Sequence, residues 1–182
     1  MLILASGSPR RRELLSLITD EFEVLVSGCD EFVPEGTPAE KVPAILAEQK
    51  ALAVAKLRPE DTVIGSDTVV VLNNEIFGKP KDKVHAHAML KALSGKRHFV
   101  YTGVAVAEKG SVRSFVQKTE VEFYELSDET IEKYIATGEP MDKAGAYGIQ
   151  GKGSVLVKGI IGDYFNVMGL PVAETARFLG LV

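Results

Sequence analysis

The sequence has 182 residues, 46% of them apolar and 25% charged, with 8 prolines, a composition that excludes a disordered chain and lets one domain bury a core without disulfides or a structural metal. The formal net charge of −4 argues against a general polyanion binder, because nucleic-acid domains carry a basic excess over a broad face. Any phosphate ligand must therefore meet a local cationic cluster. Cys29 is the single cysteine; it has no partner for a bridge and no CxxC pattern for zinc, which fits a reducing compartment such as the cytosol.

The chain opens MLILASGSPRRR, with apolar residues before basic ones and a core far too short for a signal peptide, so these residues are read as mature protein. Leu2 to Ala5 reads as a short buried strand, Ser6 to Ser8 as a turn, and Pro9 as the first position of a helix capped by Ser8 with Leu14, Leu15 and Ile18 as its apolar stripe. Phe22 to Ser27 alternates like a second strand and ends at Asp30 and Glu31. Thr37, Pro38 and Glu40 form a capping-box signature for a helical region that Pro43 kinks or restarts. That region runs to about Leu57 and stops before Pro59. Thr62 to Leu72 reads as a long strand, Asn73 and Asn74 as a turn, and Glu75 to Phe77 as the returning strand. The longest apolar runs, such as Val69 to Leu72, are strand-sized and far short of a membrane span.

Asp82 to Leu93 reads as a helix closed by Gly95. Phe99 to Ala107 and Val112 to Tyr124 pair through a turn at Lys109 and Gly110. Ser127 or Asp128 caps a helix that ends near Gly138. The glycine-rich segment DKAGAYGIQGKG precedes a strand from Ser154 to Ile161, and Pro171 opens a final helix. Helices and strands alternate but hairpins intervene, so the expected architecture is α/β with a mixed sheet flanked by helices, in a single domain over residues 1–182.

Five features carry chemistry. Arg10, Arg11 and Arg12 crowd the first turn of a helix, where the macrodipole already places positive charge, and Arg11 takes the N3 slot of a capping box. Either these are three solvated arginines on an exposed turn, or an anion resolves the conflict, since helix-start N–H groups and guanidinium forks both bind phosphate. Neither GxGxxG nor GK[ST] is present. Lys50 lies one turn from Leu46 and one turn from Val54, on the apolar stripe of its helix; it is either a snorkelling lysine or one aimed at a ligand.

Asp67 sits inside IGSDTVVVL, where every neighbour favours a buried strand, so it is either a paired structural carboxylate or one that holds a metal or deprotonates water. Asp30 and Glu31 could complete an oxygen-ligand set for Mg²⁺ or Mn²⁺. Lys79 after Gly78 offers a point charge for phosphate, or belongs to an ordinary exposed turn. The glycines at 145, 148, 151 and 153, with Lys143 and Gln150 among them, could wrap a ligand or form a surface loop. His85, His87 and His98 are read as structural or exposed, and Ser8 has no local base to make it a nucleophile.

In order along the chain, ASGSPRRRELL, GSDTVVVLNNEIFGKP, LSGKRHFVYTGVAV, GEPMDKAGAYGIQG and GDYFNVMGLP resemble the Maf family of nucleoside triphosphate pyrophosphatases over nearly the whole length. The resemblance implies an elongated fold of two lobes with a central cleft, related to ITPases. It implies substrate and phosphate contacts at Ser6, Arg10, Arg11, Lys50 and Lys79, and catalysis at Asp67. It also implies a divalent metal, Mg²⁺ or Mn²⁺, at Glu31 and Asp67, and base preference set by Arg10, Thr68 and Gln150. AYGIQG resembles the subgroup acting on dTTP and UTP, with modified pyrimidine nucleotides as further substrates. The expected products are a nucleoside monophosphate and pyrophosphate. The rival expectation is a nucleotide-binding regulator of cell division and septum formation with little catalysis. The resemblance further implies a cytoplasmic protein without nucleic-acid or membrane partners, in a family where homodimers are common.

Overall fold

A computed structural model describes residues 1–26 and 28–182. The strands are β1 (Leu2–Leu4), β2 (Glu23–Val24), β3 (Thr62–Leu72), β4 (Glu75–Phe77), β5 (Arg97–Glu108), β6 (Ser111–Phe123) and β7 (Val157–Ile161). The helices are α1 (Pro9–Ser16), α2 (Val42–Ala55), α3 (Lys83–Leu93), α4 (Asp128–Ala136), α5 (Tyr164–Met168) and α6 (Val172–Phe178). Hydrogen bonds order the strands β2-β1-β3-β5-β6-β7, with β4 paired to β3. β1 runs parallel to both β2 and β3, whereas β4 on β3 and β7 on β6 are antiparallel. The sheet is therefore mixed, as the interleaving of helices and hairpins in the sequence requires.

The chain divides into two compact units: Met1–Thr68 with Thr102–Gln117 and Gly169–Val182, and Val69–Tyr101 with Lys118–Met168. In the first unit, α2 covers β1, β3 and β5 through a core of small residues: Ile3, Ala5, Ala47, Ala51, Val54, Val63, Ala105 and Ala107. Two glycines set how closely α2 lies on these strands. A Cβ added at Gly65 of β3 would overlap the Ala47 carbonyl oxygen, and one at Gly103 of β5 would overlap the Pro43 carbonyl. Backbone rests on backbone here, so even a methyl group must push the helix away, at about 1–3 kcal/mol or more. At the end of this unit, Phe178 of α6 packs edge-on to Phe115 with ring centroids 4.8 Å apart, and the Arg113 guanidinium lies 4.0 Å over the Phe178 ring.

The second unit has larger core residues, among them Leu90, Leu93, Phe123, Ile131, Tyr147 and Leu156. His98 lies inside this core, 1% exposed, its Nε2 2.7 Å from the Tyr147 hydroxyl and its ring edge-on to Phe123. Burial in apolar surroundings lowers its pKa to about 4, which keeps it neutral. Asn73 and Asn74 take positive φ of 51° and 65° and close the β3–β4 hairpin, the turn geometry that Asn tolerates best among residues with a Cβ. Asp82 caps α3 by accepting from His85 N (2.7 Å), and Ser127 caps α4 by accepting from Thr130 N (3.2 Å).

Four local expectations need adjustment. The second strand is confined to Glu23–Val24, and Ser27, where it was expected to end, lies outside the described residues. The capping-box region is a 3₁₀ turn over Ala39–Lys41 followed by α2, with Pro43 in the first helical turn. Ser154 to Leu156 belong to a 3₁₀ turn, Gly151–Leu156, so the strand begins at Val157. The short helix α5 was not expected at all. No helix of the described residues is long and apolar enough to cross a membrane.

Candidate functional site

Three segments of the first unit converge on Asp67. The strand β3 is buried along most of its length, and the burial is broken at its centre: Ser66 is fully buried, while Asp67 and Thr68 are partly exposed. On α2, the turn from Leu46 to Val54 buries both of those apolar residues and leaves Lys50 at the margin of the core. Its ammonium does not reach out to water alone. Lys50 Nζ lies 2.6 Å from Asp67 Oδ1 and 3.0 Å from Glu31 Oε1, with the Lys50 and Asp67 side chains only 15% and 14% exposed and Glu31 47%. A shared cation thus holds two carboxylates together at a partly buried point.

Arg11 forms the second half of the arrangement. Its Nε donates to the Gly169 carbonyl oxygen (2.9 Å), one terminal nitrogen to Ser6 Oγ (3.3 Å) and the other to Thr68 Oγ1 (3.0 Å). Thr68 Oγ1 is in turn 2.9 Å from Thr102 Oγ1, and Ser66 Oγ donates to the same Gly169 oxygen (3.2 Å). Burial lowers the Arg11 pKa; the attraction of Asp67 and Glu31 opposes that effect, and the repulsion of Arg10 adds to it. The guanidinium is therefore within the field of both carboxylates and of the neighbouring arginine. Three of its five N–H donors are used on the protein, which fixes the plane of the fork.

The start of α1 is open. Ser8 occupies the N-cap position but makes no side-chain cap bond, and the first turn contains no acid. Ser6 Oγ instead accepts from Ser8 N (3.3 Å) as well as from Arg11. A helix that begins with basic residues and no side-chain cap turns its positive end toward an anion. Beside this turn lies a cavity of about 730 Å³, lined by Ser6, Gly7, Ser8, Arg12, Glu13 and Asp20 among others, a volume within the range of small-molecule sites.

Direct contacts within the first unit thus gather Ser6 and Thr68 around Arg11, and Glu31 and Asp67 around Lys50; the two sets meet at the adjacent Asp67 and Thr68, and Arg11 feels the charges of Asp67, Glu31 and its neighbour Arg10. Asp30 is exposed, and it is Glu31 that meets Lys50. Lys79 and Gln150 belong to the second unit, and both are exposed. Gln150 is carried by a tightly held segment. Glu139 Oε1 accepts from Tyr134 Oη (2.9 Å) and from Gly153 N (3.0 Å), and Oε2 accepts from Lys152 N (3.0 Å). Tyr134 Oη accepts from Gly148 N (3.0 Å), so both ends of the stretch that presents Gln150 are tied to one side-chain pair. Burial pushes the Glu139 pKa up, but the bonds from Lys152, Tyr134 and Gly153 outweigh it and hold the group below its usual value.

A sequence reading missed Gly169, Thr102 and Glu139. Gly169 has φ of 123°, a conformation reserved for glycine, and the only trace it leaves in the sequence is a Gly before Leu-Pro. His85 and His87 make local contacts, His85 Nδ1 accepting from Lys81 N and His87 Nε2 lying 3.6 Å from Asp128.

The donor set can be tested against a divalent ion. Among the described residues no group of three or more His, Cys, Asp or Glu side chains could hold a metal, so a cage made only of protein ligands does not fit. Two hard carboxylates, Glu31 and Asp67, already share one cation. That matches ions such as Mg²⁺ or Mn²⁺ that take one or two carboxylates and complete their shell with water and substrate phosphate oxygens.

The family described as Maf-like protein matches residues 1–182. The dTTP/UTP pyrophosphatase of Bacillus cytotoxicus is 54% identical over 178 residues, covering 97% of this chain and 93% of that protein. The dTTP/UTP pyrophosphatase of Geobacillus sp. (strain WCH70) is 53% identical over 176 residues, covering 97% and 95%. Among solved structures, the Staphylococcus aureus Ham1 protein aligns with a TM-score of 0.47 at 19% identity, covering 67% of this chain and 71% of that one.

Proposed function

The chain belongs to the Maf family, and from that premise we infer that it is a nucleoside triphosphate pyrophosphatase that hydrolyses dTTP and UTP between the α and β phosphates. The products are the nucleoside monophosphate and pyrophosphate. The observation that carries this reading is the partly buried meeting of Lys50, Asp67 and Glu31 beside the fixed Arg11 fork. Relatives about half identical over almost their full length, named for this activity, support the choice of substrates.

Asp67 accepts the proton of the attacking water, or orients that water, at the α phosphorus. Lys50 holds the Asp67 carboxylate in place and turns its remaining N–H donor to a phosphate oxygen. Arg10, the positive start of α1 and Lys79 neutralise the triphosphate, the Ser6 hydroxyl donates to a phosphate oxygen, and Arg11 both contributes charge and holds Ser6 and Thr68 in place. Arg10, Thr68 and Gln150 set the base preference. Glu31 and Asp67 would hold Mg²⁺ or Mn²⁺, which when bound would supply positive charge against the triphosphate oxygens and the negative charge that gathers on the leaving pyrophosphate. We take residues 1–182 as one functional domain acting in the cytoplasm.

The test is a panel of nucleoside triphosphates assayed for pyrophosphate and monophosphate release with Mg²⁺, Mn²⁺ or EDTA. Release from dTTP and UTP, dependent on the ion and weak for purine nucleotides, is the expected result. Orthophosphate and a diphosphate as products would overturn the bond assignment, and inert dTTP and UTP would overturn the activity.

A further inference from the structure

Glu31 is exposed and lies in a stretch without regular secondary structure, yet its carboxylate meets Lys50 at 3.0 Å. A loop residue holds such a position only if the adjoining backbone is tied down, because an unrestrained loop samples many orientations. The tie is one residue away. Gln49 Oε1 accepts from Phe32 N (2.9 Å), and Gln49 Nε2 donates to Phe32 O (2.5 Å). One primary amide thus binds both main-chain groups of one residue, as a neighbouring strand would. Gln49 and Lys50 are successive residues of α2, so one helix turn supplies both the clamp on the loop and the ammonium that the loop's carboxylate meets. Burial of Phe32 does not account for this placement, since the residue is 70% exposed.

We propose that Gln49 is a positioning residue that latches the backbone of Phe32 onto α2 and thereby holds Glu31 beside Asp67 for the divalent ion. The proposal rests on the reading of Glu31 as a ligand to that ion. It requires both halves of the amide: glutamate at this position keeps an acceptor for Phe32 N–H but sets an anion against the Phe32 carbonyl. Outer groups that orient ligands typically change metal affinity about 10- to 100-fold when removed.

The experiment compares Gln49→Ala, Gln49→Glu and Glu31→Gln with the parent protein. Mn²⁺ binding is measured by electron paramagnetic resonance in the presence of a non-hydrolysable α,β-methylene dTTP analogue. Chymotrypsin cleavage after Phe32 and dTTP turnover across a Mn²⁺ titration complete the set. The proposal expects Gln49→Ala and Gln49→Glu to bind Mn²⁺ about tenfold more weakly or worse, to be cut faster after Phe32, and to regain most of kcat at saturating Mn²⁺. Melting curves should stay close to the parent's, which separates the effect from unfolding. Unchanged Mn²⁺ binding in both Gln49 variants while Glu31→Gln loses it overturns the latch and leaves Glu31 as a ligand. Unchanged binding in Glu31→Gln overturns the reading of Glu31 itself, and the latch with it.

Discussion

The candidate residues of the first unit are already bonded to one another: Lys50 to Asp67 and Glu31, and Arg11 to Ser6, Thr68 and the Gly169 carbonyl. Those of the second unit, Lys79 and Gln150, are exposed, and what is held there is the backbone on either side of Gln150, through Glu139 and Tyr134. Charge that must act on a transition state gains most when it is fixed before substrate arrives. Groups that discriminate between bases need only be presented at the right height on a stiff support. The two regions differ in what is rigid: side chains in one, main chain in the other.

Removing the central carboxylate should have the largest effect. Asp67→Asn is expected to fold and to lower dTTP turnover about 10³-fold, within the range of lost general-base catalysis; equal turnover would remove Asp67 from the mechanism. Arg11→Lys keeps the charge but cannot serve Gly169, Ser6 and Thr68 with one planar fork. It should cost about 10²-fold in kcat/KM, and about 1–3 kcal/mol of stability from the groups left unpaired. If stability drops while kcat/KM holds, the fork is only a structural brace and the contrast between the two regions weakens.

The core of the second unit offers a pH test. His98 takes up a proton near pH 4 when folded but near 6.5 when unfolded. Between those values the unfolded chain binds more protons, so stability is complete above about pH 6.5 and falls as pH drops toward 4, by about 3 kcal/mol. That corresponds to roughly 10 °C in the melting temperature, and His98→Gln should flatten the profile. The smallest effect belongs to Gln150→Ala. We expect no change in melting and a change of about tenfold or less in the ratio of kcat/KM for dTTP against CTP, since a single base contact is worth about 1 kcal/mol. A collapse of turnover on dTTP itself would show that this segment does more than discriminate.

Much of the architecture was legible because local signals agreed with the final packing. Asp67 stood out as a carboxylate in an apolar strand, and Lys50 as a cation on an apolar stripe; both anomalies are resolved by the same contact, 2.6 Å long. The capping-box signature at Thr37 marked the start of a helical region, but no such cap forms: Thr37 Oγ1 donates to the Pro34 carbonyl (2.7 Å), Pro38 is the N-cap without a side-chain cap bond, the first turn is 3₁₀ and α2 begins only at Val42. Other features had no local signal. The bond from Arg11 to the Gly169 carbonyl joins residues 158 positions apart, and a backbone acceptor carries no residue code. Ser154 to Leu156 alternate well enough for a strand, but the hold of Glu139 on Lys152 N and Gly153 N bends the chain just before them. The single-turn helix α5 is too short to show a period; it is set by Asp163, whose side chain accepts from Phe165 N and Asn166 N. Gln49 looked like any polar helix residue, because what it grips is main chain.

The seat of α2 on bare backbone at Gly65 and Gly103 reaches further than stability. The gap between the Lys50 ammonium and the Asp67 carboxylate is a difference between two heights, one measured along a helix and one along a strand, and the missing methyl groups set the zero of that scale. An alanine at either position would act as a shim, raising the lysine off its partner while leaving every reacting atom chemically intact. Such a variant would lose turnover with its whole inventory of catalytic groups present. Programmes that trade glycine for alanine to stiffen a protein should leave these two untouched.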